Sequence, residues 1–305
     1  VGPKLYLALL WHQHQPIYKD TSHPTASGSY IHPWVRLHAI RDYYSMAALV
    51  AEHPGIHLTI NLTPSLLWQI EDYLEHGATD RTLELTLKPA ELLTPGEREA
   101  VLSTFFDANW HNQIFPHPRY KALFEQRRRK QEFADQDVRD LQMWFNLAWF
   151  GSEFRKGDVK LATGEIASVH CFVEQGSGFT TADIEAMVAE QYKIMRAIIP
   201  IHRQLQEHDQ VEVSATPFYH PILPLLVDSD RATPDRIQPP LRQVSLSANV
   251  TSSSYVGLYA KWLIEQRDIW RSRRDRVSVK VVRNNKQETD DGAIIDSKPT
   301  RYGSR

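Results

Sequence analysis

The sequence predicts an α/β protein built on parallel strands, and three observations carry that reading. Runs of strand length, apolar or alternating, recur at Leu5–Leu10, Ile56–Leu62 and Val211–Thr216. Stretches of helical periodicity lie between them, as strand–helix–strand units require. Each run stops in a cluster punctuated by proline: His12-Gln13-His14-Gln15-Pro16, Asn61-Leu62-Thr63-Pro64 and Thr216-Pro217-Phe218-Tyr219-His220-Pro221. Parallel neighbours would bring the three clusters to one rim, where α/β enzymes build their sites.

Leu5–Leu10 is almost unbroken apolar and too short to span a membrane, so it is expected to be a strand buried on both faces. Pro16 stops it. A polar loop, Lys19–Ser29, leads through Tyr30-Ile31-His32-Pro33-Trp34 into a helix over about Val35–Glu52. Leu37, Ile40, Tyr44, Ala47 and Ala48 recur there at helical spacing, and His53-Pro54-Gly55 closes it. Ile56–Leu62 alternates apolar with polar residues and hands over at Thr63-Pro64-Ser65 to a helix of about Leu66–His76. Connections this short make the first two strands parallel, with a right-handed crossover.

The stretch from about Thr79 to Gln210 reads as mostly helical, with helices at Pro95–Ala108, Arg119–Arg129, Asp135–Phe150 and Thr180–Glu207. The last takes Thr180 or Thr181 as its cap and Asp183 in its first turn; Pro200 is expected to kink or split it. Glu125–Lys130 reads as a solvated helix end and Gly151–Gly178 as an irregular surface loop. Phe105–Trp110 and Trp144–Phe150 are first of all packing surfaces, with Asn109, Asn146 and Trp149 as candidates to line a cleft. On the third strand Val211, Val213 and Ala215 face one way and Glu212, Ser214 and Thr216 the other.

A chain of 305 residues and 35.2 kDa has room for one barrel or two smaller domains. A formal net charge of −2 argues against nucleic acid or an anionic membrane as main partner. Cys171 is the single cysteine, which excludes an internal disulfide and fits a reducing compartment. The opening apolar run lacks a basic flank and a cleavage site, so a cytoplasmic location is expected. The eight tryptophans are ordinary core filler or, equally, platforms for the C–H face of a sugar ring; composition does not choose. A phosphate-binding loop, a Gly-x-Ser-x-Gly elbow and a Cys/His zinc cluster are all absent from the sequence.

His12 and His14 project from the same strand face. They serve as hydrogen-bonded rim residues, as donors to a polyhydroxylated substrate, or as metal ligands in a metal-dependent carbohydrate hydrolase or deacetylase. His220 has the same three readings. Glu212, on the polar face of a strand expected to be buried, is assigned to orienting a neighbouring His or Arg. Gln15 and Trp34 complete the candidate substrate-binding set.

His14-Gln15-Pro16 at the first strand end, together with Asp209-Gln210-Val211-Glu212 running into Phe218-Tyr219-His220-Pro221, resembles the signatures of glycoside hydrolase family 57. Asp209 stands where the family has glycine. Phe105–Trp110 and Leu141–Phe150 also look like the helical insertion of one branch of the family, so the resemblance covers about Lys4–Arg242. It implies the N-terminal part of an incomplete (β/α)7 TIM-like barrel, with a large helical insertion at about 79–210 between the second and third strands. The implied substrates are α-glucans or maltooligosaccharides, handled by an amylase, glucanotransferase or branching enzyme. Such enzymes work with retention, without metal or other cofactor, and with a Glu nucleophile about 5–5.5 Å from an Asp acid/base. By position the sugar contact at the cleavage subsite falls to His14, with His12 and His220 beside it. The family's nucleophile and acid/base motifs are not in this sequence; Glu265 and Glu288 lie in unsuitable surroundings, so no catalytic residue is assigned. Residues 243–305 form a polar basic tail with little to build a core, apart from a short helix expected at Ala260–Trp270. A shifted reading frame or truncated gene would account for it. The chain is then expected to be catalytically silent, or a glucan-binding fragment.

Overall fold

The computed structural model describes residues 7–19 and 29–221, together with the backbone of three short strands between 281 and 296. The chain divides into two units, Val1–Tyr219 and His220–Arg305. In chain order the first unit contains strand β1 (Leu10–Gln13), β2 (Ser29–Tyr30), helix α1 (Trp34–His38), a π-helical turn at Ala39–Tyr43, and α2 (Tyr44–Ala51). Then come β3 (Leu58–Leu62), α3 (Pro64–Glu75), β4 (Thr79–Asp80), α4 (Arg81–Leu87) and α5 (Pro95–Thr104). A second π-helical turn, Trp110–Ile114, precedes α6 (Pro118–Arg128), α7 (Asp135–Leu147) and α8 (Ser152–Lys156). The unit closes with β5 (Val159–Lys160), β6 (Ile166–Ala167), α9 (His170–Gln175), α10 (Thr181–Glu207) and β7 (Val211–Ala215).

The three principal strands form a parallel sheet in the order β1-β3-β7, as their neighbouring runs foretold. One face of the sheet is apolar. Leu58, Ile60, Leu62 and Val211 are buried there, and α10 lies against β7, α2 and α7. The other face is polar. Two-residue pairings, β2 with β4 and β5 with β6, tie down the loops.

The first strand departs from expectation. It begins only at Leu10 and runs through Trp11, His12 and Gln13, while Leu7 is 81% and Leu10 64% exposed. The reason is position: Leu7 precedes the paired segment, and Leu10 registers with Thr59 on the polar face of the sheet, β1 being an edge strand. A run of leucines reads as buried whether its strand is central or not.

Pro200 neither splits nor ends α10, which continues to Glu207. Ile198, Ile201 and Leu205 are buried around the proline, and that burial outweighs the cost of about 3 kcal/mol for a proline inside a helix. Thr180 is the cap: its Oγ1 accepts from the Asp183 N–H at 3.1 Å, and Asp183 Oδ2 accepts from the Thr180 N–H at 2.8 Å. Those hydrogen bonds hold the Asp183 carboxyl below its usual pKa. Thr180→Ala is expected to lower stability by about 1 kcal/mol, read as a lower denaturant midpoint at unchanged slope.

Gly151–Gly178 is also more ordered than a surface loop. It contains α8, β5, β6 and α9, and buries Phe154, Leu161, Ala167 and Val169. The helical stretch from Trp34 to Ala51 carries the π-helical turn that periodicity does not reveal. There Ile40 O accepts from the Gly151 N–H at 3.0 Å. A Cβ on Gly151 would lie 2.5 Å from Glu153 Oε1 and 2.7 Å from Ser45 Oγ, so a larger residue there would push those side chains aside. The solvated end of α6 matches its charged sequence, with Arg127, Arg128, Arg129 and Lys130 all exposed.

The helical region is bound by one buried ionic network. Arg36, fully buried on α1, donates from Nε to Asp80 Oδ2 at 2.8 Å and from Nη1 to Asn146 Oδ1 (3.0 Å) and Gln191 Oε1 (2.7 Å). Tyr73 O–H also donates to Asp80 Oδ2 at 3.0 Å. Asn146 is thus a core residue, contrary to the cleft role expected of it.

In the second unit β8 (Val281–Arg283), β9 (Lys286–Glu288) and β10 (Ile294–Asp296) form an antiparallel sheet in the order β10-β9-β8. The sequence reading assigned no strand there. The helix expected at Ala260–Trp270, with Glu265, lies outside the described residues; Glu288 is the last residue of β9.

Candidate functional site

The parallel register sets the C-terminal ends of β1, β3 and β7 side by side, and backbone bonding continues past them. Thr63 N–H donates to Gln13 O at 3.1 Å, and Ser65 N–H donates to Phe218 O at 3.2 Å. The three proline-punctuated clusters therefore share one rim, as far as Tyr219.

On the polar face the side chains line up in rows across the strands. His12 pairs with Asn61, and Asn61 with Ser214, in the strand register. Their side chains bond in the same order: His12 Nδ1 to Asn61 Oδ1 at 2.7 Å, then Asn61 Nδ2 to Ser214 Oγ at 3.1 Å. With the amide donating to Ser214, its oxygen accepts from His12, which puts the ring proton on Nδ1. One row below, Thr59 Oγ1 donates to Glu212 Oε2 at 3.2 Å. Glu212 is exposed, and Thr59 takes the place of the expected His or Arg, because Thr59 is its register neighbour.

One step above, alternation brings His14, Thr63 and Thr216 to the same face. The His12 and His14 rings stack with centroids 5.7 Å apart, so the shared face read from the sequence is present. Thr63 is fully buried, and neither Thr63 Oγ1 nor Thr216 Oγ1 has a hydrogen-bond partner among the described residues. Buried hydroxyls are ordinarily bonded; two together at a strand-end rim are chemically suited to a hydroxyl-bearing ligand.

Gln15 is clamped. Tyr18 O–H donates to Gln15 Oε1 at 2.7 Å, and Gln15 Nε2 donates to the Tyr43 hydroxyl at 2.9 Å. Burial raises both phenol pKa values, opposed at Tyr43 by the Gln15 bond, so both remain protonated at neutral pH. Beneath it, the buried Gln69 side chain accepts from the Tyr18 N–H and donates to Pro16 O, each at 3.0 Å.

Trp34, the first residue of α1, contacts Trp149 (centroids 5.8 Å apart), His32 (6.5 Å) and His38 (6.4 Å). His38 reaches Tyr43 at 6.2 Å, and His32 reaches Tyr18 at 5.5 Å. Gln15, Tyr18, His32, Trp34, His38 and Tyr43 thus close a ring of contacts that joins Trp34 to the rim. Trp149 backs this ring, with the Arg41 guanidinium 5.4 Å from its centroid. Asn109 is elsewhere, capping the turn at Trp110.

His220 has φ 52 and begins the second unit; it is a candidate by sequence alone. Sequence reasoning passed over Thr63, Asn61 and Thr216, although period-two alternation from His12 and Ser214 was signal enough. It also passed over Tyr18 and Tyr43. Nothing in the sequence announces Tyr43, because the π-helical turn aims it. Among the described residues, no group of three or more His, Cys, Asp or Glu is arranged to hold a metal ion, and no helix is long and apolar enough to cross a membrane.

Comparison with known proteins returns one family: the model described as Glycosyl hydrolase family 57 matches residues 8–251. No curated protein and no solved structure matches.

Proposed function

The chain belongs to glycosyl hydrolase family 57, a family of glycosidase-type carbohydrate-active enzymes, and from that premise we propose that the rim of β1, β3 and β7 is the sugar-holding part of a site for α-glucans. The observation that carries this reading is the row His12–Asn61–Ser214 with His14 stacked beside it. It is a preorganised line of donors and acceptors at the C-terminal end of parallel strands. A glucose unit presents alternating hydroxyls to such a row. Thr63 and Thr216 add two hydroxyls that have no hydrogen-bond partner among the described residues, Gln15 a fixed amide and Trp34 an apolar wall; Glu212 lies one row below.

The three parallel strands are read as the first part of a (β/α)7 barrel, residues 1–242, into which the helices of about 79–210 are inserted. The family's retaining chemistry needs two carboxyl groups about 5–5.5 Å apart, and the row brings no such pair together among the described residues. The proposed activity of this chain is therefore binding without turnover; the family match ends at residue 251, past the boundary near 242 expected from the sequence.

Titration of the full chain with maltoheptaose tests the reading. Saturable binding is expected, weakened about tenfold or more by His14→Ala through loss of a hydrogen-bonding ring at the rim. Unchanged affinity in that variant would remove the rim from the account. Release of shorter glucans by the pure protein would overturn the silent assignment.

A further inference from the structure

A second aromatic surface lies in the helical region between β3 and β7. Trp110 opens the π-helical turn Trp110–Ile114 and is 54% exposed. Its ring leans on the buried Phe124, with centroids 5.0 Å apart and planes tilted by 57°. The indole is braced from one side and open on the other.

The turn that carries it is held firmly. Gln113, buried, accepts from the Asn109 N–H at 2.9 Å through Oε1 and donates to Ala148 O at 3.2 Å through Nε2. Asn109 Oδ1 accepts from the Asn112 N–H at 3.0 Å. Little ordering is left for a ligand to impose. Neighbouring rings are covered, with Lys121 Nζ 5.8 Å from the Phe115 centroid and Arg127 5.1 Å from Phe106. No cation lies over Trp110 among the described residues. Its fringe is polar: Asn109, His111 and Asn112 are all exposed.

An open indole face ringed by amides and an imidazole has the chemistry of pyranose recognition. Apolar C–H groups cover the ring, while equatorial hydroxyls find donors and acceptors at its edge. A protein partner would be better served by a broader apolar patch, and a nucleic acid by cations over the ring.

We propose that Trp110 and its amide fringe form a second carbohydrate-binding site, a surface platform that takes a glucose unit of an α-glucan chain independently of the strand-end rim. The choice of glucan rests on the reading of the rim given above.

Two variants and two ligands separate the questions. Retardation of the full chain in a native gel containing soluble starch reports on long glucan; calorimetric titration with maltotriose reports on single sites. Trp110→Ala is expected to weaken starch binding about tenfold through loss of one stacked ring, and Trp110→Phe to recover part of it. Circular dichroism should not change, since the indole is half in solvent. His14→Ala is expected to keep the starch affinity that Trp110 supplies while losing maltotriose at the rim. If Trp110→Ala migrates like the parent while His14→Ala loses maltotriose, the second platform is refuted and the rim stands. If Trp110→Ala loses starch while His14→Ala binds maltotriose as the parent does, the platform stands and the rim reading fails. No effect of either substitution removes both.

Discussion

Asp80→Ala is expected to destabilise the fold by about 3–5 kcal/mol, the range for removing one partner of a buried ion pair. Arg36 is fully buried, and Asp80 takes its Nε at 2.8 Å and its Nη2 at 3.3 Å. Without the carboxylate the guanidinium stays in the core with only amide oxygens for company. Asp80 also caps α4, accepting from the Leu83 N–H at 2.8 Å, so the alanine removes the cap as well. Asp80→Asn, which can keep the cap, should lose less. Urea midpoints of the two variants would decide it, and a loss under about 1 kcal/mol for the alanine would show that the pair is dispensable.

Asn61→Leu, at the middle of the row, should have a large effect on ligand binding. Its amide links His12 to Ser214, and both bonds vanish together. His12 is exposed and Ser214 half-buried, so water replaces part of what each loses, at a net cost of about 0.5–1.5 kcal/mol per bond. Loss of the Asn61 oxygen also removes a bond that orients the His12 ring, so maltoheptaose binding should weaken about tenfold or more. Asn61→Asp, which keeps an acceptor for His12, is expected to recover part of the affinity. Equal affinity in the leucine variant and the parent would show that the row does not position His12.

The sequence made the parallel strands and their common rim readable because three short runs ended alike. His12 and His14 were legible as same-face residues from alternation alone. Depth within the sheet was not: leucines at 7 and 10 carry no mark of lying on an edge. Gly151–Gly178 escaped because strands of two residues, such as Val159–Lys160, have no period to detect. Pro200 misled because local propensity yields to packing on both sides of it. The aiming of Tyr43 depends on an extra residue in a helical turn, and the burial of Asn146 on a guanidinium 110 positions earlier in the chain. Neither is a local property.

Arg36 sits in the first helix of the chain, yet its partners come from the segments before α4, inside α7 and inside α10. The helical region 79–210 is therefore not a module in the sense a genetic cassette would be. A chimera that imported residues 79–210 into another protein would arrive with a carboxylate and two amides facing an empty place. Transplanting that layer means carrying the single arginine along, so inheritance of this region and of α1 should go together.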